Sequence, residues 1–464
     1  MKKYFIIAMA IMATLVSCNG GGNTVSVAQT YETDAYMNGR LDLFNQCPII
    51  PGDIVMLGDD YFDQGEWRDF YDNAKVRNRG ILRDKAAFLP ARIDSVASKK
   101  PAKIFVSAGL NDIREGASAK ETADNLMKVF ARIKRLSPKT ERYYVNAVTL
   151  PGLTAEQKAE VAALNETMAN AAEKNGFVNI DLCSALSQGI ADGIFSWNGG
   201  RFLNGAGFEA LTQTLAGSVG CEALNHPVDK ENTAVEKYLE NWYGCCDPAT
   251  CYPAEYYTHR VSVYRSLPVR SNGVVLLGDS LTDYAEWNDL FPGFTFPILN
   301  RGIAGDMIEG MELRLDEVAA QQPNKIFILA GCNNLVKYPE VDEATVLQKY
   351  LAFVKKVHET CPKASVYVQS ILPLNSLDPA FKTANPAAEK INMALKEAAK
   401  IGNYIFIDIT TPLKDDNGEL RLECTTDGCH LNATGYFTWA TELLQLSRIL
   451  VIGNPYEELK FNEK

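Results

Sequence analysis

Histidine is scarce in this chain. Only four occur in 464 residues, and none lies between 31 and 222. That stretch therefore has no imidazole to act as a general base or to ligate a metal. A surplus of cationic side chains is also missing. Lys and Arg number 46 against 57 Asp and Glu, a formal charge of −11. Nucleic acid and anionic membrane faces call for a basic patch, so neither is an expected partner. Long apolar runs are absent as well: the run at 4–16 is too short to span a bilayer, and no later one is long enough.

What the N-terminus does have is an address. Lys2 and Lys3 precede that apolar run, which fits a secretory h-region. It ends Leu15-Val16-Ser17-Cys18, which resembles the lipobox of bacterial lipoproteins, where the cysteine is lipidated. We therefore expect a signal peptide at 1–18, lipidation at Cys18 and a Gly-rich tether at 19–30. The mature chain would be exported and reach the membrane only through that lipid. Asn19 suits the outer membrane, and losing Lys2 and Lys3 brings the charge to about −13. Of eleven cysteines, ten remain after Cys18, an even number that makes disulfides plausible in an exported protein. Cys424 and Cys429 bracket a loop that a bridge would stiffen. Cys245, Cys246 and Cys251 cluster at metal-like spacing, but no histidine pair supports zinc.

The chain also says nearly the same thing twice. GDIVMLGDDYFDQGEWRDFY, ending at Tyr71, returns as NGVVLLGDSLTDYAEWNDLF, ending at Phe291, 220 residues later (Trp287 against Trp67). NRGI recurs at 78–81 and 300–303, and KIF-x-x-AG at 103–109 and 325–331. Tyr36, Arg40, Phe44 and Pro48 match Tyr256, Arg260, Tyr264 and Pro268. The repeats are drawn at 31–222 and 251–464, with a linker at 223–250 holding a short helix at 235–242. Apolar β-rich runs at 54–57, 75–77, 103–106, 142–145 and 177–180 alternate with helical patterns. The second copy repeats them at 274–277, 297–299, 325–329, 365–368 and 404–407, with helices at 346–359 and 387–400. Alternating βα units predict a parallel sheet with helices on both faces, and therefore two tandem three-layer α/β/α domains.

Ligands bind such sheets outside the carboxyl ends of the strands. In the second copy those ends carry Gly278-Asp279-Ser280, then Gly302 through Gly305-Asp306, Gly331-Cys332-Asn333-Asn334 and Asp427-Gly428-Cys429-His430. Four ordered blocks of Ser, Gly, Asn and His make the second repeat resemble the SGNH (GDSL) hydrolases along nearly its whole length. The GCNN block and Gln369 through Pro373 look most like the platelet-activating-factor acetylhydrolase and sugar O-acetylesterase branch. The resemblance implies flavodoxin-like domains, Ser280 as nucleophile, His430 as base and Asp427 as its orienting carboxylate. It also implies an oxyanion hole made by the amides of Ser280 and Gly305 and the side chain of Asn333, with no metal or organic cofactor.

The first copy departs from the pattern. Asp60 replaces the serine, Arg83 stands at the Gly305 position, and Phe202 stands opposite His430; only Asn111 survives. It is expected to be inactive, with no oxyanion pocket. It would serve as a structural partner, or as a sugar-binding module lined by Asp60, Arg83, Asn111 and Arg201. For the whole chain the expectation is a short-chain serine esterase acting on O-acetyl groups of a glycan or small molecule. A lysophospholipase or thioesterase and a non-catalytic glycan-binding lipoprotein are the alternatives. Oligomeric state is not legible.

Overall fold

The computed structural model describes residues 34–225 except 198, and residues 254–445 except 293, 295, 340, 379, 380 and 382. The signal segment with Cys18, the tether, the linker helix and the cluster Cys245, Cys246 and Cys251 lie outside the described residues.

Two five-stranded sheets form. The first holds β1 (Ile54–Gly58), β2 (Val76–Gly80), β3 (Lys103–Ser107), β4 (Glu141–Val145) and β5 (Val178–Ile180). The second holds β6 (Val274–Gly278), β7 (Ile298–Gly302), β8 (Lys325–Leu329), β9 (Ser365–Gln369) and β10 (Ile405–Ile407). Strand orders are β2-β1-β3-β4-β5 and β7-β6-β8-β9-β10, with parallel pairing throughout. Parallel neighbours need crossovers, and the helices that supply them cover both faces. The central strands are accordingly buried along their length, as IVMLG and VVLLG. Helix starts are written locally. Ser118 caps Ala119–Leu136, Thr154 and Gln157 form a capping box for Ala155–Asn175, and Asp342 caps Glu343–Thr360.

β2 and β7 extend past the runs that announced them, into Asn78-Arg79-Gly80 and Asn300-Arg301-Gly302. These polar residues are tolerated because their side chains are paired. Arg79 reaches Asp289 at 2.7 Å, Arg301 reaches Glu317 at 3.1 Å, and Asn300 Nδ2 donates to the carbonyl of Asp283 at 3.0 Å.

The helix that precedes each sheet packs on the other repeat. Ala35–Gln46 lies against Ala433–Gln445, and Leu43 and Cys47 belong to the second repeat's core. Ala254–Ser266 lies against Gly205–Val219, and Tyr257, Val261 and Tyr264 belong to the first repeat's core. The exchange is reciprocal in its polar contacts. Arg40 donates to the Tyr284 carbonyl and to Glu286, each at 2.7 Å. Arg260 donates to the Gln64 carbonyl and to Glu66, each at 2.7 Å. This is an isologous interface, here formed within one chain.

Burial pushes the Glu286 carboxyl up to about 7 and that of Asp63 to about 6, although Arg40 pulls both down. Arg40→Met removes that cation and leaves two carboxylates buried without it. Loss of about 3–5 kcal/mol is expected, as for other broken buried pairs. Carboxyls whose folded pKa is raised stabilise below their unfolded pKa and lose that contribution as pH rises through the folded value. Urea unfolding should therefore show the smallest Arg40→Met deficit near pH 5 and the largest above pH 7.

Candidate active site

Ser280 opens the short helix Ser280–Asp283 directly after β6, and its side chain is largely buried. The turn is tight. A Cβ at Gly278 would stand 2.2 Å from Thr282 Oγ1 and 3.0 Å from the Leu329 carbonyl. Asp279 caps the turn through Leu281 N–H at 3.1 Å, and burial pushes its carboxyl up to about 6.

The His430 loop is folded largely by its own side chains. Thr425 Oγ1 accepts from Gly428 N–H at 2.9 Å and donates to the His430 carbonyl at 2.7 Å. Asp427 divides its two oxygens. Oδ1 accepts the N–H groups of Cys429 (2.8 Å) and His430 (2.7 Å), and Oδ2 meets His430 Nδ1 at 2.6 Å. Burial opposes ionisation of Asp427, but the His430 hydrogen bond and charge, with those two amides, hold it down at about 2. Burial likewise lowers the imidazole pKa, yet the Asp427 hydrogen bond and the charges of Asp427 and Asp279 leave it raised overall. His430 Nε2 lies 3.0 Å from Ser280 Oγ. With the proton on Nδ1 toward Asp427, Nε2 is the nitrogen that accepts from the serine hydroxyl.

Gly305 and Asn333 come to the same edge from β7 and β8. Gly305 has φ +79°, in the left-handed region that glycine enters without strain. Its carbonyl is held by Lys337 Nζ at 2.7 Å. Asn333 Nδ2 donates to the Asp306 carbonyl at 2.8 Å. Asp306 is itself buried and paired with Arg314 at 2.9 Å, which fixes the loop from below. The structure thus brings Ser280, Gly305, Asn333, Asp427 and His430 to one sheet edge.

Two expectations need correction. The Cys424–Cys429 bridge is absent, and both thiols are free. Cys424 Sγ accepts from Arg421 at 3.2 Å, whereas Cys429 is hydrogen-bonded to Cys332, a contact that with burial pushes its thiol up. That contact ties the His430 loop to the helix carrying Asn333. The other correction concerns the first copy, which does retain an oxyanion-type cradle. Arg83 has φ +68° and supplies its backbone N–H as Gly305 would. The cradle is occupied by the chain itself: Asp60 Oδ1 accepts from Arg83 N–H at 2.5 Å and from Asn111 Nδ2 at 3.1 Å. Asn111 Nδ2 also reaches the Asp84 carbonyl at 3.1 Å, as Asn333 reaches that of Asp306. The Arg83 guanidinium is taken up by Asp34 at 2.6 Å. Asp60, Arg83 and Asn111, named for a sugar site, are thus engaged with one another and with Asp34, and Arg201 lies over the Phe202 ring.

Sequence reasoning did not place Tyr284, whose ring lies 5.2 Å from that of His430, or Tyr36, whose ring meets Tyr284 edge-on at 4.7 Å. The match of Tyr36 to Tyr256 across the repeat was the available signal, but it did not say which repeat each tyrosine serves.

The model of the GDSL-like lipase/acylhydrolase family matches residues 59–210 and 276–436. No curated protein matches the sequence. Similar solved structures include a protein described as a candidate platelet activating factor from Streptococcus pneumonia (27% identity, 47% of this chain and 99% of that one, TM-score 0.38). A GDSL-like lipase from Bacteroides thetaiotaomicron is 20% identical over 42% of this chain and 98% of its own, at TM-score 0.37. A catalytic mutant of an acetylxylan esterase from Geobacillus stearothermophilus is 20% identical over 38% and 95%, at TM-score 0.31.

Proposed function

The chain belongs to the GDSL-like lipase/acylhydrolase family, matched in both repeats, and from that premise we propose that its second repeat is a serine esterase for short acyl groups, in particular O-acetyl groups on carbohydrates. The observation that carries this reading is the continuous line from Ser280 Oγ to His430 Nε2 (3.0 Å) and from His430 Nδ1 to Asp427 Oδ2 (2.6 Å).

In the proposed reaction Ser280 Oγ bonds to the ester carbonyl carbon while His430 Nε2 takes its proton. The carbonyl electron pair moves onto oxygen, which the N–H groups of Ser280 and Gly305 and the Asn333 amide receive. Collapse of this adduct breaks the bond to the alcohol oxygen, and His430 hands it the proton. Water then attacks the acyl–Ser280 bond by the same route, releasing the acid and restoring the serine. Asp427 keeps the imidazole in the required tautomer and balances its charge. The carbohydrate part of the reading is supported by the resemblance of the GCNN and Gln369–Pro373 segments to sugar O-acetylesterases. Lipidation at Cys18 would hold the enzyme on the cell envelope, where glycans are at hand.

The test is a p-nitrophenyl ester series hydrolysed by the chain lacking residues 1–18, together with mass analysis after a fluorophosphonate probe. The expected result is a maximum at acetyl and a probe adduct on Ser280. Rates that rise toward long acyl chains would redirect the reading to lysophospholipids or thioesters. No adduct and no turnover would leave a glycan-binding lipoprotein as the better description.

A further inference from the structure

We propose that the alcohol subsite of the second repeat is built partly by the first: the helix Ala35–Gln46, through Ala35 and Gly39, forms the wall against which the departing alcohol rests. This inference depends on the esterase reading above and adds what that reading leaves open, namely which residues select the alcohol.

A small gap, of about 10 Å³, opens beside His430. It is bounded by Ala35, Tyr36 and Gly39 from the first repeat and by Tyr284, Thr426 and His430 from the second. The helix is fastened to the catalytic loop rather than merely near it. Thr426 Oγ1 donates to the Ala35 carbonyl at 3.2 Å, and Asp42 Oδ2 accepts Ala433 N–H at 2.9 Å, just beyond the loop. Ala35 and Gly39 are one turn apart, so they present two small residues on the same face. At Gly39 a Cβ would meet Leu431 O and Thr426 Oγ1 at 3.7 Å, an ordinary contact, and a longer side chain would crowd the same wall.

The inactive half supplies an internal comparison. The residue matching Gly39, 220 positions on, is His259. Its ring stands 4.9 Å from Trp197 and 6.1 Å from Phe202, and its Nε2 accepts Trp197 N–H at 3.1 Å. An imidazole therefore fills, in the half without a triad, the place that glycine leaves open in the half that has one.

The chemistry says which part of the substrate faces this wall. The base that takes the serine proton returns it to the leaving oxygen, which must lie within hydrogen-bond reach of His430 Nε2. The carbonyl oxygen points the other way, toward Gly305 and Asn333. Whatever is attached to the leaving oxygen then extends past His430 toward Tyr284, Gly39 and Ala35. The tyrosine rings offer a ring-bearing alcohol flat apolar surface at this edge.

Two acetate esters separate this subsite from the rest of the machinery. Ethyl acetate and 1-naphthyl acetate form the same acetyl–Ser280, so deacylation is common to both. Any change in the ratio of their kcat/KM values reports on acylation and thus on the alcohol. Gly39→Leu is expected to lower kcat/KM for the naphthyl ester relative to the ethyl ester by about ten-fold or more, within the range seen when a pocket is narrowed. Ala35→Leu, which keeps the carbonyl that holds Thr426, should lower the ratio in the same direction and stands in should Gly39→Leu not fold. An unchanged ratio in the folded variants, including equal losses on both esters, would overturn the proposal. If the unsubstituted chain shows no Ser280-dependent hydrolysis, the proposed reaction falls first and takes this inference with it.

Discussion

Ser280→Ala is expected to lower kcat by about 10⁶-fold on the best short-chain ester, while Asp60→Ala changes it by no more than a few-fold. The first figure is the order of loss seen when a triad nucleophile is removed and only the oxyanion hole and binding remain. The second follows from where Asp60 sits. Its carboxylate is consumed by the Arg83 amide and Asn111, in a copy where Phe202 is buried opposite His430. For the same reason Asp60→Ser should not create a second active centre: the new hydroxyl would have no base. Burst titration with p-nitrophenyl acetate checks both statements, because it counts competent serines per chain. One site per chain is expected in the unsubstituted protein and in Asp60→Ser, and none in Ser280→Ala.

Asp427→Asn is expected to cost about 10⁴-fold in kcat, the scale set by a triad carboxylate whose loss reverses the imidazole tautomer. Asparagine keeps an oxygen for the amides of Cys429 and His430, so the loop should hold its shape. It would, however, be able to turn an NH₂ toward His430 Nδ1, which favours a proton on Nε2, where Ser280 needs an acceptor. A second readout separates this from misfolding. The base must be neutral to act, so kcat/KM is lost as pH falls through the imidazole pKa, which is raised in this site. Removing the Asp427 charge lowers that pKa, and the residual acid limb should move to lower pH. A limb that stays in place would mean that Asp427 only shapes the loop.

How much of this was legible depends on whether a feature lives in side-chain identity or in backbone geometry. Ser280, Gly305, Asn333, Asp427 and His430 stood at strand ends in the sequence, and the central strands announced themselves as unbroken apolar runs such as VVLLG. The cradle of the first copy was hidden because it is made by an amide. Every residue but proline has an N–H, and the sequence does not show that Arg83 adopts the positive φ of Gly305. β7 looked short because Asn300 and Arg301 end the apolar run, and their partners Asp283 and Glu317 become neighbours only after folding. Cys424 is the cysteine nearest Cys429 in sequence, whereas its neighbour in space is Cys332, from another strand's loop. The helix exchange was least legible of all. The match of Arg40 to Arg260 is compatible with each helix serving its own sheet or the other one.

That exchange changes what duplication means for this chain. When each half lends an arm to its neighbour, the two copies are bound by different obligations. The first carries Asp60, Phe202 and Arg83 where the second has serine, histidine and glycine, yet its Ala35 and Asp42 still hold Thr426 and Ala433 of the other half. Natural variation among descendants of this duplication should therefore be uneven. It should be free around Asp60 and Phe202, and constrained along the helix Ala35–Gln46 of the first copy as tightly as around Ser280 itself.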